Sequence, residues 1–492
     1  MKNRVLFFAG LVVCTACTIL APVGAARNEQ PGYRRLIELE STRAFSDELA
    51  ALLASGDVRQ AGRAALALGR TEDVRAAGPL HNATAAQDVS LRALAMYGYG
   101  LLAAKTAIAT ETLRRGLADR AGVVRVAAVD AAWRAQAAGR SPGASALSAE
   151  LLAAAAGDRD PIVRARAATA LSGWKDATEH ARISGALQQA FARERSRMVR
   201  WHEAWTLRRA FATDVAAALL RTGLTDRDEL VRIQFADLLA RRKVQGEAPL
   251  LEPLLHDPSW RVREQAAESV RVLAGGARTE HLAAIPESIA TPSPAPENAE
   301  APLPRPAGLG PPRKPVAADA LVDLPLRPTT SAAMDGPLPG PHPRVRIGTT
   351  KGPIVVRLYP EWAPLTVANF LGLVDRGYYD NLRWFRVVPD FVAQTGDPHD
   401  NGEGDAGYTI PAEENPLEQR SGVISMGLNY TEGANPGPIR DSAGTQFYIT
   451  ISPQLHLDRD FTVFGEVESG FATLGRLAES DRMTRVEQLS DR

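Results

Sequence analysis

From about residue 35 to about 285, apolar and polar positions repeat at helical spacing, and the pattern itself recurs. An acidic or polar loop is followed by an apolar residue and an arginine, then by an alanine-rich amphipathic helix. The copies are Val58-Arg59, Leu91-Arg92, Val124-Arg125, Val163-Arg164, Val199-Arg200, Val231-Arg232 and Val262-Arg263, with arginines 33, 33, 39, 36, 32 and 31 residues apart. A period of this size with two helices per unit predicts a helical solenoid. Beyond residue 343 the period changes. Val345 to Thr349 and Gly352 to Tyr359 alternate as strands of a hairpin around Thr350-Lys351. Pro364 to Val374 returns to helical spacing, with Val367, Phe370, Leu371 and Val374 on one face. Trp384 to Asp397 alternates as a barrel strand would, short strands follow between Gly and Pro turns, and a last helix is expected over about Gly470 to Ala478.

The solenoid pattern has a physical basis. Asp or Pro at a helix start caps it or opens it at little cost, valine faces the core, and alanines let neighbouring helices pack closely. The repeated arginine reads as structural, bonding the loop of a neighbouring repeat. The phrases Asp158 to Arg164 and Asp257 to Arg263 resemble HEAT repeats. Trp201 and Trp205 lie at helical spacing with His202 and Glu203 between them, but Thr206 stands where a zinc protease needs a second histidine. They read as an aromatic pair packed between repeats. Between about 286 and 343 proline is so dense that no core can form, and the segment reads as a semi-rigid spacer.

A chain of 492 residues holds two or three domains. Lys plus Arg and Asp plus Glu are both 57, and this balance argues against a whole-protein nucleic-acid binder. The two cysteines, Cys14 and Cys17, fall in an apolar run from Val5 to Leu20 that follows Lys2 and Arg4 and precedes the small residues Val23-Gly24-Ala25. This is the form of an export signal. Cleavage after Ala25 or Ala26 would leave a mature chain without cysteine, in the periplasm or outside the cell. The other reading is a lipoprotein, in which case the chain meets a membrane through Cys17.

The chemistry concentrates in Trp384 to Asp397, where Arg386, Phe391 and Gln394 stand at offsets of five and eight. An aromatic wall can receive a compact apolar ring while a guanidinium donates to an amide. With Gly422 to Gly427 (G-V-I-S-M-G) and Thr445 to Gly465 (T-Q-F-Y-I through L-D-R-D-F-T-V-F-G), this stretch resembles the cyclophilin family of peptidyl-prolyl isomerases over about the last 150 residues. The resemblance implies an eight-stranded closed antiparallel barrel of cyclophilin type with two capping helices, and no cofactor or metal. It puts the catalytic guanidinium at Arg386, with Phe391 in the pocket wall and Gln394 orienting the arginine or holding substrate backbone. Val392, Tyr448, Leu457 and Phe461 complete the proline pocket, Gln446 helps to form the groove, and Gly427 meets substrate through its backbone. Leu428 replaces a common asparagine, His456 a tryptophan of some members and Phe461 a histidine; the His456 change is expected to weaken cyclosporin-like drugs more than turnover. The chain is longer than the family's short form around Asn429 to Arg440, which implies a loop beside the groove. Asp397 to Gly402 starts like a calcium loop, but Tyr408 stands where its twelfth-position glutamate belongs.

The organisation read from the chain is a signal peptide over 1–26, a HEAT-like α-solenoid over 27–285, a Pro-rich linker over 286–343 and a cyclophilin-like domain over 344–492. The function this implies is isomerisation of X-Pro bonds in exported, folding proteins, with the solenoid recruiting clients or partners. Two alternatives stand beside it: a scaffold that binds proline peptides without turnover, and an assembly factor whose solenoid is the main module.

Overall fold

The computed structural model describes residues 31–174, 177–275, 342–388, 390–400, 402, 404, 406–431 and 437–489. The expected signal peptide and nearly all of the Pro-rich linker lie outside these residues.

The first half is a stack of helices: α1 (Pro31–Ser41), α2 (Asp47–Leu53), α3 (Val58–Arg70), α4 (Ala77–Ala83), α5 (Val89–Leu101), α6 (Thr110–Leu117), α7 (Gly122–Ala138), α8 (Ser148–Gly157), α9 (Pro161–Leu171), α10 (Ala177–Arg193), α11 (Arg197–Ala210), α12 (Ala217–Leu224), α13 (Glu229–Arg242) and α14 (Trp260–Leu273). Before α14 the expected partner helix is a 3-10 stretch, Gln245–His256, because Pro249 and Pro253 each remove a backbone donor. Asp57, Asp88, Asp160 and Asp228 cap α3, α5, α9 and α13, and Pro161 opens α9.

The repeated arginines form a ladder between units. Arg92 donates to Asp119, Arg125 to Asp158, Arg164 to Glu194, Arg200 to Asp226 and Arg232 to Asp257. Each also donates to a carbonyl of the loop before its own helix, as Arg125 does to Asp119 at 2.7 Å and Arg200 to Glu194 at 3.3 Å. The guanidinium thus ties two successive loops at once. The ends of the ladder differ: Arg59 is exposed, and Arg263 reaches the Asp257 and Pro258 carbonyls of its own loop. Trp201 and Trp205 are buried on α11, as the aromatic-pair reading expects.

Helices α3 and α5 touch backbone to backbone. A Cβ on Gly69 would lie 2.5 Å from the Gly98 carbonyl oxygen, and one on Gly98 would lie 2.4 Å from that of Ala65. Alanine favours a helix over glycine by about 1 kcal/mol, but here the added methyl meets backbone that cannot rotate away. Gly69→Ala is therefore expected to cost about 1–3 kcal/mol net. Thermal unfolding checks this, and an unchanged or raised Tm would show that the two helices can separate freely.

The second half holds β1 (Arg344–Thr349), β2 (Gly352–Leu358), α15 (Pro364–Asp375), β3 (Arg386–Val387), β4 (Val392–Thr395), β5 (Val423–Met426), β6 (Phe447–Thr450), β7 (Val463–Ser469), α16 (Phe471–Leu474) and β8 (Met483–Leu489). The strands form one antiparallel sheet in the order β3-β4-β6-β5-β7-β2-β1-β8. The sheet is a curled, open half-barrel, not the closed barrel expected. Its edge strands do not pair along their length: β3 has two residues, and the edges meet through a single bridge between Arg383 and Arg482. The second capping helix also falls short, since α16 is one turn that starts after Gly470 in the left-handed region.

Alternation along the strands separates two apolar sets. Ala393, Phe447 and Ile449 face the main core with Phe370, Tyr379 and Trp384. Val392 and Tyr448, one residue away in each strand, point to the other face, where they meet Leu457 and Phe461.

The two halves pack on each other, which a spacer between separate domains does not require. Tyr359, Trp362 and Leu455 join the apolar cluster of the solenoid. Around them run buried ion pairs. Arg63 bridges Glu40 at 2.6 Å and Glu413 at 3.2 Å. Arg70 pairs with Glu40 and donates to the Glu414 carbonyl at 2.6 Å. Arg166 pairs with Asp458 at 2.6 Å, and Arg459 with Asp130 at 2.5 Å.

Candidate functional site

The stretch read as one strand is a tight hairpin. β3 ends at Val387, and the chain reverses through Val388 to Phe391, whose N–H donates to the Val388 carbonyl at 3.0 Å. Asp390 takes φ 54° in this turn, a left-handed conformation that aspartate tolerates better than most residues. The reversal changes what an offset of eight means: Arg386 and Gln394 are direct cross-strand partners. Their side chains therefore share one face of the sheet, a few ångströms apart.

From there a line of hydrogen bonds fixes each group in turn. The Gln446 amide nitrogen donates to the carbonyls of Gly402 and Gly404, both at 2.9 Å. Its oxygen must then face Gln394, whose nitrogen donates to it at 3.1 Å. That in turn presents the Gln394 oxygen to Arg386, which donates to it at 3.4 Å. The Arg386 guanidinium carbon lies 5.1 Å from the Phe391 ring centroid. Among the described residues no carboxylate forms an ion pair with Arg386. Arg386 is itself half-buried, where a donor keeps much of its strength.

Beside Arg386 lies an apolar cluster at the place expected for the proline pocket. Val392, Tyr448, Leu457 and Phe461 form its buried part, with Phe391 and Leu428 packed against it. Tyr448 and Phe461 meet edge to face at 5.7 Å. Phe391 stacks on His456, with ring centroids 5.5 Å apart and planes 17° apart. His456 is exposed at the rim, and desolvation on its packed side, then the charges of Arg209 and Arg208, push its pKa down.

The structure brings all the expected pocket and groove residues to one face. Gly427 behaves differently from the others: its N–H donates to the Gln446 carbonyl at 2.8 Å, so a substrate contact there would use its carbonyl oxygen. A Cβ at Gly427 would stand 3.2 Å from that of Gln446 and 3.4 Å from the Gln394 nitrogen, so a side chain would crowd the amide line. The stretch that imitates a calcium loop is a carboxylate-capped turn, in which buried Asp397 accepts from the His399 N–H at 2.7 Å and from the Gly402 N–H at 2.5 Å.

Two contributions escaped the sequence reading. Tyr430 is 50 % exposed in the loop of extra residues, and desolvation, then the charges of Arg386 and Asp460, act on its hydroxyl. The loop's base is closed by a Tyr430–Pro438 bridge. Below the pocket, buried Asp458 accepts from the Gln419 N–H at 2.7 Å, and the Gln419 side chain meets Ser425, the cross-strand partner of Tyr448. The insertion signalled the first; nothing local signals the second.

Comparison with known proteins gives two family matches. The profile described as cyclophilin type peptidyl-prolyl cis-trans isomerase/CLD matches residues 344–491, and that of HEAT repeats matches residues 183–271. The chain is 44 % identical over 135 residues to peptidyl-prolyl cis-trans isomerase B of Bacillus subtilis, covering 27 % of this chain and 88 % of that one. It is 39 % identical over 145 residues to the peptidyl-prolyl cis-trans isomerase of Synechococcus elongatus, covering 29 % and 94 %. A crystal structure of a cyclophilin type peptidyl-prolyl cis-trans isomerase from Cryptosporidium parvum is 26 % identical, covers 31 % of this chain and 99 % of that one, and has a TM-score of 0.28.

Proposed function

The chain belongs to the cyclophilin-type peptidyl-prolyl cis-trans isomerase family, and we propose that it is an exported folding catalyst whose site is centred on Arg386. In this reading the isomerase domain spans 344–492, the HEAT-like solenoid spans 27–285 and carries a protein-interaction surface, and 1–26 is a cleaved leader. The proline ring enters the pocket of Phe391, Val392, Tyr448, Leu457 and Phe461, with His456 as the outer wall behind Phe391. Gln394 and Gln446 set the direction of the guanidinium, and Gly427 lines the groove. Arg386 then donates to the prolyl nitrogen as the preceding carbonyl rotates. No nucleophile or proton transfer is asked of any residue.

The observation that supports this reading most is the amide line from Gly402 and Gly404 to Arg386, which holds a donor beside the apolar cluster of Val392, Tyr448, Leu457 and Phe461. The test is cis-to-trans exchange of an X-Pro peptide with the full chain. Uncatalysed exchange takes tens of seconds or longer, and the protein is expected to shorten it. A folded chain no faster than buffer would leave proline-peptide binding without turnover. Export has its own check: mass spectrometry of protein from its native host is expected to find an N-terminus at Ala26 or Arg27. An intact Met1, or a lipid on Cys17, would overturn the leader reading.

A further inference from the structure

The proline pocket has two flanks, and each contains a non-glycine residue in the left-handed region. On one side Asp390, at φ 54°, precedes Phe391. On the other Arg459, at φ 77°, follows Leu457 and Asp458 and precedes Phe461 by two residues. Aspartate adopts such a conformation more readily than most residues; for an arginine it is uncommon and persists where surrounding contacts impose it.

In both places the solenoid supplies ionic contacts; at Asp390 they add to the bonds that Ser452 and Gln454 of the isomerase domain donate to its carbonyl. Arg261 of α14 donates to Asp390 at 2.6 Å. Arg166 of α9, only 2 % exposed, donates to Asp458 at 2.6 Å and to Asp130 at 3.1 Å. Asp130 of α7, fully buried, accepts from the Arg459 guanidinium at 2.5 and 3.0 Å. Arg134 donates to the Arg459 carbonyl at 3.3 Å. The isomerase domain holds this segment through one 3-10 turn, Leu455–Leu457, main-chain bonds to Gln419 and the packing of Leu457 and Phe461 on Tyr448, and it gives the Arg459 side chain no ionic partner among the described residues.

We propose that Asp130, Arg166 and Arg261 of the solenoid are positioning residues of the isomerase: they hold both flanks of the proline pocket, so that the competent enzyme is the docked chain and not its C-terminal domain alone. The proposal rests on the pocket assignment given above. It also gives the solenoid a task beyond recruiting clients. A buried pair such as Arg166–Asp458 can be net neutral for stability, but breaking it leaves a buried charge short of a partner, so the network of Arg166 with Asp130, Glu418 and Asp458 favours one geometry. A wall displaced by about 1 Å is enough to degrade catalysis by orders of magnitude.

The experiment compares full-length variants. For an Ala-Pro peptide, KM is read from exchange kinetics and Kd from calorimetry. Arg261→Met and Arg166→Met are expected to raise both constants about tenfold with a smaller change in kcat, the pattern of lost substrate binding. Arg261→Lys is expected to recover most of the loss, since the charge can still reach Asp390. Arg125→Met cuts a loop-to-loop bond of the same kind that touches no isomerase residue; it is expected to lower Tm and leave Kd unchanged. If Arg166→Met does not fold, the partly exposed Arg261 pair decides alone. Kd within about twofold of wild type in folded Arg261→Met, or an equal rise in Arg125→Met, overturns the proposal. A wild-type chain that binds the peptide but does not turn it over would sink the catalytic reading while leaving this comparison intact.

Discussion

Arg386→Ala is expected to lower kcat/KM for X-Pro exchange by about a hundredfold or more while the fold stays intact. Resonance sets the barrier at ~18–20 kcal/mol, and it falls when the prolyl nitrogen leaves resonance and becomes pyramidal. A donor aimed at that nitrogen strengthens as its lone pair localises and contributes little to the planar ground state. Only such differential stabilisation accelerates the step. Removing one preorganised donor costs about 10²–10³ in rate in other enzymes. The fold should tolerate the change because Arg386 is partly exposed and its bond to Gln394 is long, 3.4 Å. The rate should be nearly flat from pH 6 to 8, since the guanidinium keeps its charge and the step transfers no proton. Full activity in the variant would refute the mechanism and leave the fold untouched.

Glu203→Gln is expected to remove a large dependence of stability on pH. Glu203 sits on α11 with no exposed surface, and neither of its carboxylate oxygens has a hydrogen-bond partner among the described residues. Burial, and next the Glu194 charge, push its pKa up to about 8. An unfolded glutamate titrates near 4.3. Between those values the native chain keeps a proton that the unfolded chain has lost, so stability falls as pH rises, and it levels off above 8. At 1.36 kcal/mol per unit the loss is about 3–5 kcal/mol. Buried His202, with its pKa pushed down to about 4, acts in the opposite direction below pH 6.5. It is present in both proteins and cancels in the comparison. The two should unfold alike near pH 5, and the glutamine variant should be the more stable at pH 8.5. Parallel pH profiles would show that the carboxylate finds a partner or water.

What was legible in the sequence was what repeats or what a family shares. The arginine ladder could be read because the same loop-helix chemistry recurs, and the structure ties Arg92, Arg125, Arg164, Arg200 and Arg232 to neighbouring loops as expected. Arg386 and Gln394 were legible as a pair. The turn between them was not, because it rests on Asp390 adopting a conformation that most sequence patterns assign to glycine. Barrel closure failed for a similar reason: the pattern over Trp384 to Asp397 suggests one long strand, while β3 is only two residues long. The docking was hidden more deeply. Arg63, Arg70, Asp130 and Arg166 lie inside alanine-rich helices at positions a solenoid would fill with apolar residues. A charge there is the signal, but its partner lies hundreds of residues away and the overall balance of 57 against 57 conceals it.

Those long separations bear on how the chain assembles. Arg166 and Asp458 are 292 residues apart, and Arg261 and Asp390 are 129 apart. Loop-closure entropy grows only with the logarithm of length, so the longer closure costs merely about 0.7 kcal/mol more than the shorter. Most of the chain between the two halves can thus lengthen or shorten by tens of residues with little effect on their union. Timing is affected more. As a chain emerges from its N-terminus, the solenoid is complete before any partner for Asp130, Glu40, Arg63 or Arg166 in the second half exists. Until then those charges have only each other and water, Glu40 with Arg63 and Arg70, Asp130 with Arg166. The second half thus docks onto a surface whose charges are already partly paired, and it completes networks that the first half begins.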